Sequence, residues 1–550
     1  MLAGACKVVS AGTVAFGDSL GAVSSENNVC SEVGIGFLKR GGNAADALVA
    51  TTLCVGVVGL QHSGIGGGGF MLVRGSNGVY ESIDFRETAP AAAFEDMYEN
   101  NVIGSVRTGL ASGVPGDVRG LEHLHTKYGS LPWRVVCNPA IHLARYGFSV
   151  TEDLVRYMNA ATSDGNNFFL DDPQWAMDFA PNGTLVVVGD MLTRKRYANT
   201  LQTIAEYGSR GFYEGDIAKY IIDALQAANG TMTLDDMKDY QVSIRAPINI
   251  SYRGYKLFSC GAPSGGSVAL SILKIIEGYN MSDPDDWDLN VHRIDEAMRF
   301  SYAARGELGD PDFFNYMDNL EAHMLKPSTA ASIRKRISDS HTHDVSYYDP
   351  KYYLPENHGT SHIVATDKSG LSITLTSTVN LLFGSQLVVP ETGVVMNNEM
   401  NDFSIPGVPN EFGFVPSRTN YIRPKKRPLS SVSPVIVEHP NGTLYLSIGA
   451  AGGSRIITAT ALSIMHVLDR GLTLPEALAE PRFHDQLLPA ATVFELNFDN
   501  KTVESMQEKG HNITQVRAYL SAVQGVRRLA NGTFEAASEP RQKNSGGLAC

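Results

Sequence analysis

The 550-residue sequence predicts an α+β protein, and three features of its patterning predict it. Helix-like and strand-like segments alternate through roughly the first 345 residues. From Asp339 to Asn357 that pattern dissolves into Ser, His, Asp, Tyr and Pro, the composition of an exposed linker. Beyond it the chain turns to β character.

Taken in order, Val29 to Arg40 reads as a helix that ends at Gly41-Gly42. Asn43 can cap a second helix, Ala44 to Val58. So short a turn makes the two helices antiparallel, and positions symmetric about residue 42 then face each other. Cys30 and Cys54 are each 12 residues from it, so a disulfide is expected, with two buried free thiols as the alternative. Phe70 to Arg74 and Val79 to Ile83, joined by Gly-Ser-Asn-Gly, read as a hairpin. Thr184 to Val188 is strand-like, and Asp216 to Ala228 has a helix pattern. After the linker, Ser361–Thr366 and Leu371–Thr376 form two strands around the turn Asp367-Lys-Ser-Gly370. If Thr366 pairs with Leu371, Thr360 lies opposite Ser377 with Thr378 adjacent and Asn380 just beyond. This is the densest polar cluster at a strand end, although a Thr-rich edge strand explains it too.

Composition excludes several classes. The net charge is −13, against the clustered Lys and Arg that nucleic-acid binding needs. The basic stretch Arg423–Arg427 is short and reads as a solvated loop. The longest apolar run, Ala47 to Leu60, is about 14 residues, below the roughly 20 of a spanning helix. The N-terminal residues lack the basic-then-apolar pattern of a signal peptide. Yet Asn-X-Ser/Thr sequons occur at Asn182, Asn229, Asn249, Asn280, Asn441, Asn500, Asn512 and Asn531. They imply a secretory protein, extracellular or in a vacuolar lumen, whose leader or membrane anchor is absent from this sequence. Six cysteines without a CxxC are too few for a disulfide scaffold.

His358-Gly-Thr-Ser-His362 and Leu375–Ser385 resemble the core of the γ-glutamyltransferases, also called glutathione hydrolases. The likeness runs in order through Gly64–Gly69, Asp84–Pro90, Val114–Gly116, Met396–Ser404, Arg427–Ser431 and Gly449–Gly453. The resemblance implies the four-layer αββα sandwich of N-terminal-nucleophile hydrolases. It also implies self-cleavage between Gly359 and Thr360, giving a large piece (1–359) and a small one (360–550) that stay together as one folded unit.

It assigns roles residue by residue. Thr360 is the nucleophile, activated by its own freed α-amine. Thr378 orients its hydroxyl, and Gly452 and Gly453 supply oxyanion N–H groups. Arg86 clamps the substrate carboxylate, a match for a guanidinium fork, with Ser430 and Ser431 as further donors. Asn380, Glu399 and Asp402 match the ammonium site. Asn401 departs from the pattern, since many relatives carry a second acid there. Ser404 to Asn420 resembles the family's lid-like loop. The implied substrates are glutathione and related γ-glutamyl compounds, with water, amino acids or dipeptides as acceptors; no cofactor and no metal is expected.

Rival motifs lack their context. Gly64–Gly69 fits GxGxxG with Asp84 beyond, but a hairpin follows where a dinucleotide site needs a helix. Gly17–Gly21 resembles the GDSL esterases around Ser19 without their late Asp-x-x-His. His341 and His343 lie in the linker without further ligands. Two alternatives keep the family likeness: a cephalosporin-acylase-like amidohydrolase, and an unprocessed, non-catalytic homologue.

Overall fold

The computed structural model describes residues 14–16, 19–354, 359–407, 415–517 and 521–550. Two seven-stranded antiparallel sheets form its centre. The first runs Gly546–Ala549, Gly21–Ser25, Ser361–Asp367, Ser372–Thr378, Gly68–Arg74, Tyr80–Asp84 and Ser243–Arg245. The second runs Val14–Phe16, Phe534–Ala537, Ala522–Arg528, Leu444–Ala451, Val435–Glu438, Tyr255–Ser259 and Ile248–Tyr252. Helices Asn28–Lys39 and Ala44–Val58 cover the first sheet. Helices Gly266–Ile276 and Arg455–Leu468 cover the second, and Trp287–Arg305 packs outside them. The expected αββα layering is therefore present.

Strand alternation divides the core. In Gly68–Arg74, Met71 and Val73 join the apolar cluster under the first helix layer, while Phe70 and Leu72 join the cluster of the second sheet. That is the period of two that puts successive side chains on opposite faces. Between the sheets the packing is partly polar, with hydroxyl and amide groups paired across it. Ser372 Oγ meets Ser447 Oγ at 2.6 Å, and Ser24 Oγ donates to Gln524 Oε1 at 2.9 Å. His362 uses both ring nitrogens, on Thr376 and Thr374 hydroxyls, each at 2.8 Å. Burial pushes its pKa down to about 3, so it is neutral there.

Asn43 caps Ala44–Val58 by accepting from Ala45 and Asp46 N–H groups, and Asp46 returns the bond in a capping box. The helical hairpin carries the Cys30–Cys54 disulfide, with a Cα–Cα distance of 5.4 Å. The helix expected from Asp216 spans Gly215–Ala227.

Four expectations need correcting. The basic stretch Arg423–Arg427, expected as a solvated loop, buries Lys426 and Arg427, and Lys426 Nζ donates to Thr419 O at 2.6 Å. The central hairpin pairs Ser361 with Ser377 and Thr366 with Ser372, one residue away from the expected register. The turn decides this: Asp367 N–H donates to Leu371 O at 3.0 Å and Gly370 takes φ +87°, so Leu371 belongs to the loop. Continued one residue back, the observed register sets Thr360 across from Thr378. Thr184–Val188 is not a strand; Val187 and Val188 are exposed, and β propensity without a pairing partner does not make one. The segment from Asp339, as far as it is described, is not a free linker. Tyr348 is buried and its hydroxyl donates to Glu296 at 2.6 Å, tying the segment to Trp287–Arg305. Residues 355–357 of that segment and 408–414 of the lid-like stretch lie outside the described residues.

Candidate active site

Thr360 lies immediately before strand Ser361–Asp367 and is buried. Its Oγ1 donates to the carbonyl of Gly359 at 2.5 Å. Thr378, at the end of the neighbouring strand, donates to the same carbonyl at 3.0 Å. The Thr378 hydroxyl in turn accepts the Asn380 N–H at 2.7 Å. Asn380 sits at φ +73°, and its side chain anchors on Asn398 O at 3.0 Å. In this uncleaved state Thr378 thus addresses the peptide carbonyl before Thr360, where the sequence suggested that it orients the Thr360 hydroxyl.

The glycine run explains how Thr378 is held. A Cβ on Gly67 would meet Thr378 O at 2.0 Å, and one on Gly69 would meet Thr376 O at 2.0 Å. Strand Gly68–Arg74 lies against Ser372–Thr378 because these positions carry no side chain. Behind them Ser377 Oγ donates to Asp117 at 3.0 Å and contacts Ser63 Oγ at 2.7 Å. Burial raises the Asp117 carboxyl to about 7.

Arg86 is fully buried and ion-paired to both Glu399 and Asp402. Burial alone would lower its pKa, but the charges of Glu399, Asp402 and Glu87 outweigh this and hold it protonated. Burial lifts Glu399 well above the usual carboxylate range, with Glu87 and Asp402 adding to the shift and Arg86 opposing it. Ser431 Oγ accepts from Arg305 at 2.9 Å, and the Ser430 N–H donates to Pro263 O at 2.7 Å. Arg86, Thr360, Thr378, Asn380, Glu399, Asp402, Ser430, Ser431 and Gly453 all line one cavity of about 20 Å³. That is room for about one water: the internal ion pairs fill the space. Gly452 (φ +130°) and Gly453 (φ +64°) stand between this cavity and a larger one.

Every site residue named from the sequence is thus brought to one place. Asn401 points elsewhere, donating to Ser105 Oγ at 2.8 Å, so the departure noted there does not touch the clamp. Glu87, Asp117 and Arg305 were not foreseen. Each lies far in sequence from a partner it meets, and none sits in a periodic pattern. Among the described residues one group, His292, Glu296 and His511, brings three ligand-type atoms within 4.8 Å. Its two imidazoles are hydrogen-bonded to each other at 2.7 Å, and His292 Nε2 meets Ser338 O at 2.6 Å, so both His292 nitrogens and His511 Nε2 are already engaged.

Two facing antiparallel sheets between helix layers, with a hydroxyl residue leading a central strand beside a glycine pair, define the N-terminal-nucleophile hydrolase class. The Gamma-glutamyltranspeptidase family model matches residues 30–549, and the chain belongs to that family. A glutathione hydrolase proenzyme of Arthroderma benhamiae is 53% identical over 542 residues, 96% of this chain and 92% of the relative. The solved structure of a cephalosporin acylase from Bacillus halodurans matches with TM-score 0.85 at 25% identity, covering 100% of this chain and 98% of that one. The γ-glutamyltranspeptidase of Helicobacter pylori matches with TM-score 0.55 at 32% identity, over 58% of this chain and 92% of that one.

Proposed function

We propose that the protein is a γ-glutamyltransferase and glutathione hydrolase that matures by cutting itself between Gly359 and Thr360. The observation that carries this is two hydroxyls, of Thr360 and Thr378, meeting one carbonyl beside a buried arginine–carboxylate cluster. Thr360 Oγ1 attacks the Gly359 carbonyl carbon. The C–N bond breaks, its nitrogen takes the hydroxyl proton, and an ester remains. Water then hydrolyses the ester to a Gly359 carboxylate and a free Thr360 hydroxyl. Thr378 donates to the oxygen on which negative charge builds. Gly359 has no side chain to obstruct the approach.

Cleavage changes the nitrogen. An amide has no basic lone pair, whereas an α-amine has a pKa of about 7.7–8.0 and can take the hydroxyl proton at working pH. Thr360 then attacks the γ-amide carbon of the donor, and the amine proton leaves with the departing nitrogen. N–H groups of Gly452 and Gly453 stabilise the oxyanion, at about 3 kcal/mol each. Water or an acceptor amine releases the glutamyl group.

Recognition of a free amino-acid end follows from charge exchange. The donor carboxylate takes Arg86 from Glu399 and Asp402, helped by Ser430 and Ser431. The donor ammonium takes the freed carboxylates, with Asn380 as a further acceptor. Internal ion pairs are replaced by pairs to the substrate, so no buried charge is stranded. The acylase-like alternative has the fold likeness in its favour, but an acyl group without an ammonium gives Glu399 and Asp402 no cation to take when Arg86 turns to the substrate. Secretory handling also fits: all eight sequon asparagines are exposed, and the disulfide suits an oxidising compartment.

Incubation of processed protein with glutathione, with and without a dipeptide, tests the function. Glutamate release, or γ-glutamyl-peptide formation when the dipeptide is present, is expected. Turnover of an acyl amide that lacks the amino-acid end, with none of glutathione, would favour the acylase.

A further inference from the structure

Arg305 ends helix Trp287–Arg305 and is buried, yet among the described residues no carboxylate pairs with it. The one hydrogen bond of its side chain runs from Nη2 to Ser431 Oγ at 2.9 Å, and its Nε has no partner. The helix C-terminus favours a cation but supplies only a partial charge of about −0.5. Burial pulls the Arg305 pKa down, the reverse of Arg86, whose carboxylate neighbours outweigh burial. A guanidinium stays protonated nonetheless, and a buried charge without a counter-ion is costly. Such a charge calls for an anion from outside the chain.

Ser431 shows where that anion sits. The backbone around it is pinned: Ser430 N–H donates to Pro263 O and Gly265 N–H to Val432 O, both at 2.7 Å. That leaves the rotation of the hydroxyls to be set. Ser431 Oγ accepts from Arg305, and Ser430 Oγ accepts from the Val432 N–H at 3.2 Å. Neither hydroxyl donates to a described residue, so each keeps its one O–H for an acceptor. Both line the clamp cavity beside Arg86. The same helix end braces the oxyanion side, where Tyr302 OH donates to Ser454 O at 2.5 Å, next to Gly453.

Resting on the γ-glutamyl reading above, we propose that Arg305 is a positioning residue for the donor's α-carboxylate, acting through Ser431, and that it makes a free α-carboxylate a condition of tight donor binding. The guanidinium holds a lone pair of Ser431, so the O–H points away from it and into the clamp. A hydroxyl polarised by a cation is a stronger donor. Arg86 meets the carboxylate directly after leaving Glu399 and Asp402. Arg305 adds a second positive charge that no protein carboxylate pairs with. The bound carboxylate lies between two cations, one in contact and one a hydroxyl away, while Glu399 and Asp402 take the ammonium.

The test compares γ-glutamyl-p-nitroanilide with its analogue whose α-carboxylate is a primary amide, as the ratio of their kcat/KM values in processed protein. Wild type favours the carboxylate. Arg305→Gln keeps a donor for Ser431 and loses the charge. Its ratio is expected to fall about tenfold, through the KM of the carboxylate donor with kcat held, the mark of lost ground-state binding. Arg305→Lys keeps the charge without the fork and gives a ratio between the two. On a Ser431→Ala background Arg305→Gln changes the ratio no further. A merely structural Arg305 lowers both donors together and leaves the ratio alone. An unchanged ratio in Arg305→Gln, or an equal fall with and without Ser431, overturns the assignment. Where Arg305→Gln gives no processed protein, Arg305→Lys is read alone: a ratio about threefold below wild type supports the role, and one equal to wild type overturns it. Wild type that turns over the carboxylate donor while the variants keep its ratio loses only the role of Arg305. Wild type inactive on that donor and on glutathione loses the γ-glutamyl reading as well.

Discussion

Arg86 shows what one residue type could and could not reveal. Its place in Asp84–Pro90 identified it as a carboxylate clamp, but nothing in the sequence put Glu399 and Asp402 on its guanidinium, because buried polar pairs have no period. The arrangement changes how it should be probed. Arg86→Ala would leave the buried Asp402 without its ion-pair partner, at a cost of about 3–5 kcal/mol. Arg86→Lys keeps the charge and loses the fork. We expect Arg86→Lys to raise the KM for a γ-glutamyl donor by at least about tenfold, from the loss of charge-assisted bonds worth about 1.5–3 kcal/mol, while self-cleavage continues. An unchanged donor KM contradicts the clamp. Asp117 supplies a second prediction. Burial raises its carboxyl from 3.8 to about 7. The folded state therefore holds this proton more tightly than the unfolded state, and stability is lost as pH rises from about 4 to about 7. Asp117→Asn cannot ionise, so its Tm relative to wild type should rise between pH 5 and pH 8. A Tm difference that stays flat across that range would show that Asp117 is ionised in the folded protein.

At the scale of elements, hydrophobic period and capping made the first helical hairpin legible to within a residue, and with it the disulfide. The glycine run was legible only as a motif. Its purpose, letting Gly68–Arg74 lie against the strand that carries Thr378, depends on a neighbour some 300 residues away. Gly67→Ala would set a Cβ 2.0 Å from the Thr378 carbonyl, and backbone there must shift. We expect this variant to fold yet to convert to two chains at least about tenfold more slowly, since roughly 1.4 kcal/mol of misplacement suffices. Wild-type conversion kinetics would mean that Thr378 is positioned otherwise. The Tyr348 segment was misread for a similar reason: its polar composition resembles a linker, and only the partner on Trp287–Arg305 shows it to be packed.

For the whole molecule, the position of residue 359 is what the sequence could not explain. Both sheets interleave the two pieces. Strands from before it flank Ser361–Asp367 and Ser372–Thr378 in the first sheet, and strands from after it occupy the middle of the second. A cut at Gly359–Thr360 breaks one bond and leaves these ladders intact, so the pieces should co-elute in native buffer and part only in denaturant. Their separation without denaturant would contradict the single folded unit. The central claim is that Thr360 works only after its own amine is freed. It is tested most directly by following purified protein over time, scoring the fraction of chains whose N-terminus reads Thr-Ser-His-Ile-Val against the rate of glutamate release from glutathione. The account predicts that the two rise in proportion from near zero, and that Thr360→Ala stays one chain of 59.3 kDa before any glycan mass, without activity. Full-rate release by protein that remains uncleaved would contradict it.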